Sequence, residues 1–299
     1  MKSRLSTESR KNAIMGYLMI APFCIMFALF KLYPLVYGFV VSFLDRNSIK
    51  KATSNNFVGL QNFVRICQSS TFWQAFLHSF IFSLVYTVTI MVLGFVFAVL
   101  FNKKFKGRTL VRTFFYMPYV TNMIAVGVIF KYLLNPSRGP VNAIFRMFGW
   151  EGPQWLSGQY SALPTTALIA AWAALAFNII TNLAALQDIP VDLFEVADIE
   201  VATFIQRMRY IIFPMLIPTL FMLLTITVIN SFKNYGTIVA LTNGGPGTSS
   251  RVLSYQIYDD AFKFAKYSIA SAEGVIFTGA IVIISRLISF WRSSWEKKQ

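Results

Sequence analysis

Two groups of residues in this chain have types and spacing that suit chemistry. The first is the stretch from Gln187 to Pro218, QDIPVDLFEVADIEVATFIQRMRYIIFPMLIP, which separates two long apolar runs. Asp188, Asp192, Glu195, Asp198 and Glu200 place five of the chain's twelve acids here. Pro190 suits a first helical turn, and Asp192 stands where the helix dipole favours an acid. Asp192, Glu195 and Asp198 recur every three residues and share roughly one helix face. Leu193, Ala197, Val201 and Phe204 are spaced by threes and fours, as an apolar face is. The pattern predicts a short amphipathic helix outside the bilayer. It reads either as a solvated connector or as a docking element for a soluble partner.

The second group lies inside the apolar runs, where a polar residue is costly and therefore informative. Thr227, Asn230, Ser231 and Asn234 line one flank of a helix, with Thr225, Lys233 and Tyr235 beside them. Phe177, Asn178, Thr181 and Asn182 occupy another run, and Tyr119, Thr121 and Asn122 a third. Amides pair with hydroxyls, and aromatic faces pack on the apolar face of a pyranose, so these residues suit a sugar pathway. The alternative is interhelical hydrogen bonding. Lys233 and Glu273 are the deepest ionisable residues of the second half. Glu273 is nearly alone as an intramembrane acid, which disfavours a proton-coupled carrier.

Other chemistries are excluded by type. His78 is the only histidine, so neither a histidine cluster nor a Ser/His/Asp set is available. Cys24 and Cys67 have no partner at metal-ligand or disulfide-framework spacing. No G-x-x-x-x-G-K-[ST] and no G-x-G-x-x-G occurs, so the chain binds no nucleotide by a known loop.

The elements that must position these groups are membrane spans. Of 299 residues, 56% are hydrophobic and 13% charged, with mean hydropathy +0.57. Soluble domains carry about 25% charged residues. Apolar runs near 13–33, 77–101, 113–134, 163–186, 214–241 and 267–291 each suffice to cross a bilayer. The expected fold is an all-α polytopic membrane protein of about six spans. A tail at 1–12 precedes a transmembrane domain at 13–291, the acidic loop occupies 187–213, and a basic tail follows at 292–299. The first run is too long for a signal-peptide core and is expected to be retained. A net charge of +15 would suggest nucleic acid in a soluble protein; here the basic residues flank spans. On this topology fourteen lie on the side of the termini and the acidic loop, and fewer, spread over longer loops, on the other. The positive-inside rule then puts both termini and the loop in the cytoplasm.

Glu195-Val196-Ala197, then Glu200, Ala202, Phe204, Phe213-Pro214 and Pro218, resembles the EAA loop of the permease subunits of binding-protein-dependent ABC importers. FVGLQNF at 57–63, LTNGGPG at 241–247 and the stretch to ASAEG extend the resemblance over about residues 15–290, to permeases of the maltose and glycerol-phosphate type. It implies a type I importer architecture in the bacterial cell membrane and a heterodimer with a second permease. It also implies two ABC ATPase subunits and an extracellular solute-binding protein that delivers a sugar. ATP and magnesium would sit on the ATPases, with no cofactor on this chain and no activity as an enzyme. The coupling residues would be Asp192, Glu195, Ala197, Glu200, Val201, Ala202 and Phe204. The sugar would meet Phe177, Asn178, Thr227, Asn230, Ser231, Asn234 and Tyr235, with Ala170, Ala173 and Ala174 widening the pocket. Glu200 stands at the family's Asp and Val201 at its Gly. A β-branched residue resists positive φ, so the turn, or its fit to the partner, is expected to differ. Glycerol phosphates, polyamines, or a secondary carrier without an ATPase are the alternatives.

Overall fold

The computed structural model describes residues 2–103 and 105–296, side chains of 2–8 and 296 excepted. Of the basic residues counted above, Lys104, Lys297 and Lys298, and the side chains of Lys2 and Arg4, lie outside the described part of the chain. The only extended pairing among the described residues is one antiparallel bridge, Leu44 to Phe57. Five helices are long and apolar enough to cross a membrane, and a bent pair makes a sixth. The chain divides into two compact units.

One unit comprises residues 1–68 and 259–275. Helix α1 (Lys2–Phe27) passes through a π-helical turn at Ala28–Leu32 into α2 (Tyr33–Val41). Ser9–Val41 is one continuous apolar span, in which the residues after Tyr33 continue the helix past Pro34. None of its most apolar window is buried within the chain. The FVGLQNF segment packs on the chain just after this span, with Phe57 and Phe63 on Phe43, and opens α3 (Gln61–Gln68). Asn62 is fully buried and donates to the carbonyls of Ser42 (2.8 Å) and Leu44 (2.9 Å), the chain leaving α2. Its side chain thus satisfies buried carbonyls of the turn that follows the helix.

The other unit comprises residues 69–258 and 276–299. Its centre is α4 (Ser70–Asn102) against α8 (Ala162–Gln187). On α4 the buried residues Phe72, Ala75, Ser79, Phe82, Tyr86, Ile90, Gly94, Ala98 and Phe101 follow steps of three and four, one stripe of a helix. On α8 Ala167, Ala170 and Ala171 let the backbones approach, and Ile238, Val252 and Tyr255 close the same cluster. Toward the other end of α8, Leu175, Ile179, Leu183 and Leu186 pack with Ala98, Phe101, Ile212 and Leu216. Leu216 belongs to α11 (Phe213–Phe232), which has Pro214 in its first turn and follows a π-helical turn, Met208–Ile212.

Two spans expected to be continuous are broken. Residues 113–134 form α5 (Arg108–Val120) and α6 (Met123–Leu133), bent by 102°. Thr121 returns its hydroxyl to the Met117 carbonyl (2.8 Å), and Asn122 accepts from the Ile124 amide (2.8 Å). The asparagine caps a new helix and so ends the old one. Residues 214–241 form α11 and α12 (Tyr235–Leu241). Between them Asn234 has φ −81° and ψ 66°, and the Tyr235 amide bonds the Lys233 carbonyl at 2.8 Å, an inverse γ-turn.

Candidate functional site

The acidic stretch folds as α9 (Val191–Ile199), a turn, and α10 (Phe204–Arg207). The turn is built from backbone bonds. The Val201 amide donates to the Asp198 carbonyl (3.1 Å) and the Ala202 amide to the Ala197 carbonyl (2.9 Å). With Glu200 as the last half-helical residue, these are the two bonds of a Schellman motif, whose following position is left-handed and usually glycine. Val201 holds it at φ 51°. The sequence at this position predicts an altered turn or an altered fit to the partner; in the structure the position is left-handed, with a β-branched residue in it.

Arg207 clamps the turn from α10. Its Nε donates to the Ala202 carbonyl (2.9 Å) and its Nη2 to Asp198 Oδ1 (2.6 Å). Thr203 and Gln206 close a capping box at the start of α10. Lys103, in the α4–α5 connector, stands over the Phe204 ring at 5.7 Å.

The expected apolar face of this loop is not the one that packs. Among Leu193, Ala197, Val201 and Phe204, only Ala197 is buried, since the helix ends at Ile199 and the threes-and-fours spacing loses its meaning beyond it. Val196 (58% exposed), Ile199 (80%), Val201 (83%) and Ile205 (75%) face outward. Asp192, Glu195, Val196 and Ile199 fall within an arc of about 100° on α9. The loop presents aliphatic groups set among acids, fixed by the Arg207 clamp. Exposed aliphatics on a rigid polar loop have the character of a contact surface.

Within the bilayer the polar residues divide. Asn178 Nδ2 donates to Thr227 Oγ1 (3.2 Å), and Asn182 Nδ2 to the Asn178 carbonyl (2.9 Å). Ser231 Oγ lies 2.6 Å from Ser83 Oγ and 2.6 Å from the Val228 carbonyl. These residues are buried between α4, α8 and α11, and Gly94 of α4 leaves room for Asn178: a Cβ there would stand 2.9 Å from the Asn178 Cβ. Ala170 is buried in the α4–α8 cluster, with Ala174 packed against it. Nothing in its sequence context marks Ser83 as a member of this ladder, since one serine in an apolar helix is ordinary.

Phe177, Asn230 and Lys233 are exposed, and Asn234 and Tyr235 half-buried. Tyr119 stacks on Phe177 (centroids 6.4 Å) and meets Tyr116 (5.6 Å), making an aromatic shelf. Beside the α5–α6 bend a cavity of about 590 Å³ is lined by Phe114, Met117, Thr121, Phe130 and Trp172 among others. At the end of α8 opposite the acidic loop, a polar cup of about 610 Å³ gathers Gln74, His78, Gln159, Tyr160, Thr248 and Ser249. His78 Nδ1 is 3.1 Å from the Arg251 carbonyl and so carries the proton there. Among the described residues no group of histidines, cysteines or acids could hold a metal ion.

The geometry of the acid-rich, clamped loop is joined by a match in sequence. Residues 90–293 match the family described as the binding-protein-dependent transport system inner membrane component. The chain belongs to this family. It is thus a transport permease subunit that crosses the cell membrane several times. Among curated relatives of the family, the chain is 31% identical over 288 residues to the sn-glycerol-3-phosphate transport system permease protein UgpA of Agrobacterium fabrum, covering 96% of each chain. It is 31% identical to the arabinooligosaccharides transport system permease protein AraP of Halalkalibacterium halodurans, covering 95% of this chain and 89% of that one. It is 29% identical to the probable starch degradation products transport system permease protein AmyD of Thermoanaerobacterium thermosulfurigenes, covering 92% of each. The fold matches a chain of a solved bacterial ABC transporter for the acidic polysaccharide alginate, with TM-score 0.84 and 24% identity over 97% of this chain and 99% of that one.

Proposed function

We propose that this chain forms, with a second permease, the membrane pathway of an ATP-driven importer for saccharides handed over by an external binding protein. The observation that carries the reading is the acidic loop. Its turn is rigidly built, its acids and aliphatics face outward, and it continues through Pro214 into α11, which holds Thr227, Asn230 and Ser231. A push on α9 is therefore transmitted to the polar stretch of α11. The loop faces the cytoplasm, as the basic flanks suggest, and takes the ATPase on Asp192, Glu195, Val196 and Ile199, with Glu200, Val201, Ala202 and Phe204 beside them.

The saccharide meets Phe177 and the Tyr119 shelf through its apolar face and Asn230, Asn234 and Tyr235 through its hydroxyls. Asn178, Thr227 and Ser231 stand one layer behind and hold α8 and α11 to each other and to α4. The names of the arabinooligosaccharide and starch-product relatives support a saccharide cargo. The uncovered first span suits a second permease or lipid as its neighbour.

A glycerol phosphate is the second reading, favoured by the glycerol-3-phosphate relative of equal identity.

The test is Glu195→Lys in membrane vesicles carrying the whole importer. Saccharide uptake and saccharide-stimulated ATPase should both fall while the chain still inserts. Unchanged uptake would remove the loop from coupling.

A further inference from the structure

The depth of Lys233 follows from its neighbours along α8. Thr227 meets Asn178, nine residues before the end of α8 at Gln187. Ile238 packs with Leu163, Ala167, Ala170 and Ala171, near the start of α8. Lys233 lies between these levels, so it sits near the middle of a helix about 39 Å long. Its four-carbon stem cannot reach a membrane surface about 15 Å away. It is nevertheless exposed on this chain, as is Asn230 one turn below. Among the described residues its ammonium has no hydrogen bond and no ion pair. Lipid does not tolerate a bare ammonium at this depth, so this face is wet or covered by a polar surface.

The backbone gives the same indication. The chain breaks at Lys233–Asn234 with an inverse γ-turn, and irregular backbone at membrane depth survives only where it lines water or is covered by protein. Next to the break, Tyr235 stacks with Tyr255 (6.1 Å) and meets Tyr258 (4.7 Å), which fixes the far side of the turn. Lys233 is left as a positive charge held at the mouth of a helix break, with Asn230 and Asn234 as its polar companions.

We propose that Lys233 faces the transport pathway and selects cargo bearing a negative charge, a carboxylate or a phosphate, on a hydroxylated frame. This rests on the saccharide-importer reading and adds a charge to it. A neutral cargo offers the ammonium no counter-charge. An anionic one gains a charge-assisted hydrogen bond there.

The test uses vesicles with the whole importer and its binding protein. They are offered an equimolar mixture of neutral disaccharides, uronate-bearing disaccharides and glycerol 3-phosphate, and uptake is read by mass spectrometry. The wild-type chain should accumulate an anionic member, and which one distinguishes carboxylate from phosphate. Lys233→Gln should lower that uptake relative to the neutral members roughly tenfold, and Lys233→Arg should preserve it. In a background where the two exposed native cysteines, Cys24 and Cys67, are serine, Lys233→Cys gives a second readout. A thiosulfonate that adds an aminoethyl group should restore anionic uptake, and one that adds a sulfonate should not. Uptake of neutral saccharides at a ratio unchanged by Lys233→Gln would overturn the role of the lysine alone. Loss of the second permease or the ATPase on Lys233→Gln would overturn it by assigning the charge to a subunit contact. Uptake of none of the three by the wild-type importer would overturn both readings.

Discussion

Replacing Val201 by glycine should tighten the acidic loop. The left-handed region costs a non-glycine residue about 1–2 kcal/mol, and Val201 occupies it at φ 51° with its side chain 83% exposed. No packing offsets that cost. Glycine adds back about 0.4–1 kcal/mol of unfolded-chain entropy. The net gain is about 1 kcal/mol, or roughly a fivefold shift in the equilibrium between closed and open turn. Hydrogen exchange at the Ala202 amide reads this directly, because that amide is bonded to the Ala197 carbonyl across the turn. After correction for intrinsic rates, exchange should slow about fivefold in Val201→Gly. In Val201→Ala it should change little, since alanine keeps the left-handed penalty. Equal slowing in both variants, or faster exchange in the glycine variant, would refute the strain and with it the Schellman geometry.

Other perturbations separate the elements. Arg207→Ala removes a bond to the Ala202 carbonyl and an ion pair that is largely solvent-screened on its Asp198 side. It should weaken the turn by about 1 kcal/mol, mostly through the carbonyl bond, and speed exchange at Ala202. Gly127→Ala puts a methyl 2.7 Å from the Ala240 Cβ and 2.9 Å from its carbonyl oxygen, forcing α6 from α12. The thermal midpoint in detergent should fall, by an amount matching about 1–3 kcal/mol of overpacking, and Ala240→Gly should restore part of it. Thr227→Val leaves the buried Asn178 amide without its acceptor and should cost about 1–3 kcal/mol. The double variant Asn178→Leu/Thr227→Val should recover stability relative to it.

The fold class was legible because apolar runs long enough to cross a bilayer admit few other readings. The loop was legible because five acids between two such runs must lie outside the bilayer. The breaks were not. The run at 113–134 is apolar on both sides of Thr121-Asn122, and only the capping ability of Asn122 distinguishes a break from a tolerated polar pair. At Lys233 the signal was an asparagine after a lysine in an apolar stretch, which equally fits a helix facing a partner. Spacing also misassigned the faces of the loop. Leu193, Ala197, Val201 and Phe204 fit a helical stripe, but the helix stops at Ile199, and a stripe cannot cross a left-handed residue. In the spans, the sequence could not divide Asn178, Thr227 and Ser231, which are buried between helices, from Phe177 and Asn230, which are exposed. Each of the five suits a sugar, by an aromatic face or by a polar group, and only tertiary packing decides which way each is turned.

The most direct measurement is purification of the tagged chain from its native membrane in mild detergent, with mass spectrometry of what accompanies it. The account predicts a second permease and an ABC ATPase in fixed proportion, with Glu195→Lys retaining the permease and losing the ATPase. A lone or homomeric chain that transports without an ATPase would contradict it.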